Sequence, residues 1–403
     1  MRPTPTNAIE LKEPIDLIIE HIDPLGQGVA KIPAPDDGPA KIYFIPKTLP
    51  GEVINAKVEQ KSKNLNFCTL LEVKQPSVER ITPKCQHYDI CPGCRFLHCS
   101  HDFEWQQKIM ALNDQFQRHL KWDISEKIEP FKNASRFYYR NRIQLHYKLG
   151  KNPELGLKYK DSIISIPKCQ LPVTEIREQL RLLYENNHWT ELVPAPKKPE
   201  GHVEIEWATT GTNKEIKLRW NKPYAEEGFS QVNEKMNGIL KNFIHTKLYD
   251  LSKAKYDSQK SHVIIDLFCG DGNLTKDLAA PMIVIGSDNY KPSGAHGLAH
   301  YLKLDLFEEE ALGRFKVNYA GLKIPKSQPL ALIIDPPRSG FNGLKHWIDE
   351  LKPKYLIAVS CHYSTLIRDL KSLGLTSEQC VSVGVFDMFP GTYHLECCAI
   401  IRP

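Results

Sequence analysis

The 403-residue chain has 53 Lys+Arg against 48 Asp+Glu, a net charge of +5, and 41% hydrophobic residues, a composition ordinary for a soluble globular protein of two or three domains. No apolar run reaches the roughly eighteen residues of a membrane span, and the start MRPTPTNAIE lacks a basic stretch followed by an apolar one. No membrane partner is therefore expected, and a cytoplasmic location is.

Residues 1–14 precede the first patterned segment and are expected to be flexible. From 15 to 74, short apolar runs (IDLIIEHI, KIYFIP, TLPGEVINAKVEQ, CTLLEV) alternate with Gly- or Pro-containing turns, which predicts a small all-β barrel. Lys57, Lys61 and Lys63 would suit it to nucleic acid. A Cys/His-rich loop follows to residue 101, then a predicted helix over about 102–120 with Phe103, Ile109, Leu112, Phe116 and Leu120 at helical spacing. Eleven cysteines in an intracellular chain point to metal ligands, nucleophiles or small core residues rather than a disulfide framework. Cys85, Cys91 and Cys94 form a C-x5-C-x2-C cluster, and Cys169 in SIPKCQLP supplies a fourth thiol. Four thiolates suit an iron-sulfur cluster or tetrahedral zinc, and spacing leaves both open. Cys99, His87 and His98 stand close enough in sequence to substitute. The remaining cysteines read as small strand or turn residues.

Residues 121–160 hold ten Lys/Arg against four Asp/Glu, concentrating the basic excess. Within them, FYYRNRIQLHY interleaves Arg140 and Arg142 with Phe137, Tyr138, Tyr139 and Tyr147, a pattern suited to phosphate contacts and to stacking on unpaired bases. Strand-like runs continue to residue 220 around one helix near 173–187, so 75–225 is predicted as an α+β central domain carrying the cysteine cluster. A helix is expected from near Gln231, then the polar linker SKAKYDSQKS. Beyond it, VIIDLF, MIVIGS, LALIID and YLIAVS alternate with helical segments. Such continuous apolar runs indicate a mostly parallel sheet covered on both faces, an α/β domain over 226–403.

VIIDLFCGDGNLT (263–275) is a buried strand ending in an acid, a Gly-rich turn and a predicted helix start. Gly270 would let a bound group approach the backbone. Asp288 closes the next apolar run, where a carboxylate can accept both hydroxyls of a ribose. These features indicate a nucleotide-like cofactor.

DLFCGDGNLT (266–275), DPPRSG (335–340), SCHYSTLIRDL (360–370) and DMFPGTYHLECC (387–398), in that order, resemble the motifs of the RNA uridine-5-methyltransferase family. The resemblance extends upstream through FSQVN (229–233), the cysteine cluster and a barrel like that family's TRAM domain, an OB-like module. It implies a Rossmann-like domain dependent on S-adenosylmethionine (SAM) and transfer of a methyl group to carbon 5 of a uridine. It also implies Cys361 as the nucleophile adding to uracil carbon 6, and Glu396 as the base removing the carbon 5 proton. Asp335 is carried over at the substrate edge and the SAM pocket, with Gln231, Phe268, Gly270, Asn273, Asp288 and Asp305 for SAM. The cluster-bearing members imply a [4Fe-4S] cluster on Cys85, Cys91, Cys94 and Cys169, with zinc the alternative. Members with barrel and cluster act most often on large-subunit ribosomal RNA, the expected partner of a monomer. Methylation of transfer RNA and a non-catalytic iron-sulfur RNA-binding protein are the competing expectations. The chain departs from the family at His362 and Tyr363, where Asn-Pro more often follows the cysteine, and in a short segment between Asp288 and Asp305 containing Pro292, Gly294 and Gly297.

Overall fold

A computed structural model describes residues 13–33, 38–196, 198–210, 213–223, 231–253, 261–289 and 298–403. Phe229, Ser230, Pro292, Gly294, Gly297 and most of the predicted flexible N-terminus and polar linker lie outside these. The chain divides into two units: 1–84, 93–111 and 391–393 form the first, and 85–92, 112–390 and 394–403 the second.

In the first unit, β1 (Ile15–Ile18), β2 (His21–Ile22), β3 (Gln27–Ile32), β4 (Lys41–Pro46), β5 (Val53–Ser62) and β6 (Leu65–Gln75) form one sheet in the order β1-β5-β6-β4-β3-β2. All pairs are antiparallel except β4 with β6. Period-two alternation puts Leu17, Tyr43, Ile45, Ile54, Ala56 and Cys68 into one core, and leaves Lys61 and Lys63 exposed. Three register shifts along β5 and β6 supply curl, since each bends its strand and tightens the twist. Fully buried Glu52 accepts from Leu49 N at 2.8 Å and pairs with Arg80, which fastens the segment leaving the sheet.

Helix α1 (His101–Leu120) begins one residue earlier than expected, with acidic Asp102 and Glu104 in its first turn, where the helix dipole favours them. In the second unit, β7 (Ile128–Phe131) comes first in the chain. Next come β8 (Arg142–Lys148), β9 (Glu154–Tyr159), β10 (Ser162–Ile164), α2 (Thr174–Tyr184), α3 (Trp189–Leu192), β11 (Glu200–Thr210) and β12 (Asn213–Trp220). Strands β8 to β12 form an antiparallel sheet in the order β10-β9-β8-β11-β12. Leu145, Tyr147, Val203 and Ile205 of the sheet share a core with Ile176, Leu180, Leu183 and Trp189.

The remaining elements are α4 (Glu234–Lys253), β13 (His262–Leu267), β14 (Met282–Asp288), β15 (His300–Lys303), α5 (Ala311–Gly321), β16 (Ala331–Ile334) and α6 (Leu344–Leu351). After them come β17 (Tyr355–Ser360), α7 (Tyr363–Ser372), β18 (Cys380–Phe386) and β19 (Glu396–Ile401). They build an eight-stranded sheet in the order β15-β14-β13-β16-β17-β19-β18-β7. Strands β13 to β17 run parallel, and β19 is antiparallel to both its neighbours. Every residue of β13, β16, β17 and β19 is buried, so their sequences read as continuous apolar runs. Edge strand β7 comes from the stretch assigned by sequence to the central domain. It is held by Phe131, which stacks on Phe386 with centroids 4.9 Å apart, and its Pro130 is tolerated because an edge strand needs no second ladder. Among the described residues no helix is long and apolar enough to cross a membrane.

Candidate active site

The strand order reverses between β13 and β16, and open parallel sheets bind ligands in the crevice at such a point, beyond the carboxyl ends of the strands. Phe268 and Gly270 follow β13, Asp288 ends β14, Asp335 follows β16 and Cys361 follows β17. Five of the sequence-predicted residues thus reach one edge of one sheet.

The turn after β13 is tightly wound. Phe268 has φ +61°, Gly270 +52° and Gly272 +73°; the left-handed conformation is routine for glycine and strained for phenylalanine. Gly270 N donates to Asp288 Oδ2 at 2.9 Å, tying this turn to the end of β14. A Cβ on Gly270 would meet nothing within 4 Å, so the backbone there faces open space that a ligand can fill. The helix expected after the motif does not form: residues 270–277 are a succession of turns. Side chains fix that path instead. Thr275 Oγ1 donates to buried Asp266 Oδ2 at 2.5 Å, and Asn273 exchanges amide hydrogen bonds of 2.9 and 3.0 Å with Asn237 of α4. Sequence reasoning missed Asn237, whose only signal was its place in the helix after Gln231. Gln231 is 6% exposed, and its carbonyl accepts from Asn141 Nδ2 at 3.3 Å. Phe268 lies 5.0 Å from Phe341 and 5.5 Å from Phe307, centroid to centroid. Asp305 is half-buried, its Oδ1 accepting from Phe307 N at 3.1 Å.

The nucleophile candidate sits between β17 and α7, with His362 as the helix N-cap residue and Ser360 Oγ accepting from His362 N at 3.1 Å. Strand β19 lies beside β17 with Ser360 opposite Cys397. One step beyond that last pair stand Cys361 and Glu396. Glu396 is 1% exposed, inside the sheet rather than on an edge, and neither carboxylate oxygen has a hydrogen-bond partner among the described residues. An unpaired buried carboxylate is costly when charged and so holds its proton: burial, then Asp335, pushes Glu396 well above the usual carboxylate range, against the pull of Arg338. Burial pushes Asp335 up to about 7. Cys361 is pushed up to about 11 by burial, then by Glu396 and Asp335, while Arg338 acts the other way through its charge and a hydrogen bond. Arg338 is thus a fourth member of the site. In the sequence it stood inside the DPPRSG motif with no role assigned to it.

Of the cysteine set, Cys85, Cys91 and Cys169 fall in the second unit and Cys94 in the first. Cys169 is pushed up to about 11, by burial first and then by Cys91 and Cys85, so these three thiols feel one another. His87 Nε2 accepts from Lys168 N at 3.2 Å, and Cys99 Sγ donates to Phe96 O at 3.1 Å, so neither of these proposed substitute ligands is uncommitted. Among the described residues no group of three or more His, Cys, Asp or Glu side chains closes to metal-binding geometry.

The RNA-facing expectation needs one correction. Arg142 is 3% exposed and paired with Glu206, which also takes Arg219 at 2.6 Å. A buried guanidinium committed to a carboxylate is no phosphate contact, and its role is structural. Arg140 is half-buried, with Nε donating to Arg142 O at 2.8 Å.

Residues 312–402 match the family model described as tRNA (Uracil-5-)-methyltransferase. Over 99% of its length the chain is 26% identical to the 23S rRNA (uracil(1939)-C(5))-methyltransferase RlmD of Shewanella halifaxensis (strain HAW-EB4), covering 98% of that protein. It is 27% identical to the protein of the same name from Histophilus somni (strain 129Pt), with 97% of each covered. Among solved structures, the Pyrococcus abyssi tRNA (uracil-54, C5)-methyltransferase in complex with S-adenosyl-L-homocysteine matches with a TM-score of 0.62 at 17% identity, covering 96% of this chain and 100% of that one. That match shows a shared fold, the fold of a SAM-dependent methyltransferase.

Proposed function

The chain is a relative of the RNA uracil-5-methyltransferases along nearly its whole length, and on that premise we propose that it transfers a methyl group from SAM to carbon 5 of a uridine in 23S ribosomal RNA. The observation that carries the chemistry is the pairing of Cys361 with a buried Glu396 that has no hydrogen-bond partner among the described residues, beside Asp335 and Arg338.

Carbon 5 of uracil is a weak nucleophile. Cys361 adds through sulfur to carbon 6, and the displaced π electrons make carbon 5 an enolate carbon. A thiol pushed up to about 11 is protonated in the resting site, so the thiolate must be formed as the base binds, its proton passing to solvent and the Arg338 guanidinium favouring the anion left behind. SAM, when bound, supplies an electrophilic methyl group. Gln231, Phe268, Asn273, Asp288 and Asp305 would hold it over the open backbone at Gly270. After transfer, Glu396 takes the carbon 5 proton once it has lost to solvent the proton that burial makes it hold, the carbon 5–carbon 6 double bond reforms and the Cys361 thiolate leaves. Asp335 lines the base edge next to both groups.

Residues 15–74 act as a TRAM-like module, 75–225 as the central domain and 226–403 as the methyltransferase domain of a cytoplasmic monomer. The soft donors Cys85, Cys91, Cys94 and Cys169 suit a [4Fe-4S] cluster with a structural or RNA-contacting role, because methylation of an activated uracil needs no electron transfer. Iron and sulfide content of anaerobically purified protein tests that assignment against zinc. Arg140 and the lysines of the barrel would contact RNA phosphates. Nucleoside mass spectrometry on unmodified 23S rRNA and transfer RNA, each incubated with SAM and protein, tests the substrate. 5-Methyluridine in 23S rRNA is expected, and its appearance in transfer RNA alone would overturn the choice.

A further inference from the structure

The SCHYSTLIRDL motif holds near its end two residues that the chemistry above leaves unused, Arg368 and Asp369 of α7. They and the DPPRSG turn lie in the second unit. Beyond β16, Gly340 N donates to Pro337 O at 2.8 Å, so Arg338 and Ser339 are the central residues of a closed turn. Arg368 Nη2 donates to Ser339 O at 2.8 Å, and Asp369 Oδ2 accepts from Phe341 N at 2.6 Å. Asp369 Oδ1 also accepts from Arg368 Nε at 2.9 Å and Nη2 at 2.6 Å, so one carboxylate fixes both the guanidinium and the loop. Asp369 is 4% exposed. Gly340 has φ +75°, and a Cβ there would stand 2.5 Å from Asp369 Oδ2, so the backbone passes directly against this pair. Among the described residues no other hydrogen bond joins the backbone of 336–340 to another element.

The same helix carries the nucleophile at its other end. Thr365 donates to His362 O through N at 3.0 Å and through Oγ1 at 2.8 Å, which closes the first turn of α7 directly behind Cys361. Strands β16 and β17 are parallel neighbours with Ile334 opposite Ala358, so the Arg338 turn and Cys361 leave the sheet at one edge. Pro336 and Pro337 fix their own φ but set no distance to α7; the bonds to Arg368 and Asp369 do. Arg338 is itself exposed, yet it hydrogen-bonds Cys361. A long exposed side chain loses rotamer entropy when it settles on one partner, and a fixed backbone lowers the number of placements it must give up. We infer that Arg368 and Asp369 are positioning residues that latch the Arg338 turn to the nucleophile's own helix and so keep the guanidinium on the sulfur of Cys361. The bearing of this latch on methyl transfer rests on the uridine-methylation reading; its bearing on the thiol does not.

Iodoacetamide alkylation of Cys361 in the full-length protein, without RNA or SAM and followed at its peptide by mass spectrometry across a pH series, reports the thiolate. Asp369→Ala should slow alkylation about tenfold at each pH below about 10, the low end of what a hydrogen bond to a charged group contributes. Asp369→Asn, which keeps an oxygen for Phe341 N, should stay near the parent. In the Arg338→Gln background the alanine substitution should have no further effect, because residues that act through one another do not add, whereas independent ones do. The parent rate in a folded Asp369→Ala protein overturns the inference. So does an equal change in both backgrounds, which would mean that a loosened α7 acts on Cys361 without Arg338. If circular dichroism shows Asp369→Ala unfolded, the same two backgrounds are compared with Arg368→Met, whose side chain is 47% exposed and whose loss frees Ser339 O; the same two results overturn the latch. 5-Methyluridine formation on ordinary RNA, measured alongside, should fall with the alkylation rate. A parent protein that forms none removes the methylation reading, and the alkylation comparison still decides the latch.

Discussion

Replacing Arg338 with Gln removes the group that, among the described residues, pulls the Cys361 thiol down against burial and two carboxyls. With that thiol at about 11, roughly one molecule in a thousand carries the thiolate at pH 8. A hydrogen bond to a charged group is worth roughly 1.5–3 kcal/mol, equivalent to about one to two pKa units. The variant should therefore hold about ten- to a hundredfold less thiolate at the same pH. Alkylation by iodoacetamide, followed at the Cys361 peptide by mass spectrometry across a pH series, reads this directly without RNA. The free protein should show a rate that climbs steadily from neutral pH with no plateau below about pH 10, and Arg338→Gln should lie below it throughout. A plateau near neutrality would mean that the thiolate is preformed in the resting site. Equal rates in the two proteins would mean that Arg338 does not act on the thiol; either result refutes the reasoning.

Glu396→Gln should lower 5-methyluridine release by about 10²- to 10⁴-fold and accumulate a covalent Cys361–RNA complex visible in denaturing gels. Because burial holds the Glu396 carboxyl protonated, release by the parent should rise with pH as that group ionises, and a flat profile would contradict the assignment. Gly270→Val, at φ +52° beside open space, should lower SAM affinity at least about tenfold in calorimetry while adding backbone strain of about 1–2 kcal/mol; unchanged affinity would move the cofactor elsewhere. Arg142→Met should cost about 3 kcal/mol in urea unfolding, the low end for a broken buried pair, since Glu206 keeps Arg219. RNA affinity of the folded variant should be unchanged, and a selective loss of RNA binding would restore Arg142 as a contact.

The parallel sheet was legible because buried strands leave unbroken apolar runs, and VIIDLF, LALIID and YLIAVS each became one. The Gly-rich turn was legible too, but its continuation was not. Helix propensity after GDG is local, whereas the bonds of Thr275 to Asp266 and of Asn273 to Asn237 that hold the turns instead are tertiary. Alternation in RNRIQLHY showed a strand but not that Glu204 and Glu206 on β11 would face Gln144 and Arg142 across it. For Glu396, the flanking apolar residues fit an edge strand as well as a central one. Only the insertion of β19 between β17 and β18 buries it. Arg338 stood inside the DPPRSG motif, but nothing in the sequence joined it to Cys361, which lies more than twenty residues away in the chain and meets it only where two parallel strands end side by side.

The most direct test of the account is nucleoside mass spectrometry of unmodified 23S rRNA incubated with SAM and either the parent protein or Cys361→Ala. The account predicts 5-methyluridine with the parent and none with the variant, although both bind SAM. Equal product from both would contradict the covalent role of Cys361, and none from a folded, SAM-binding parent would contradict uridine methylation itself.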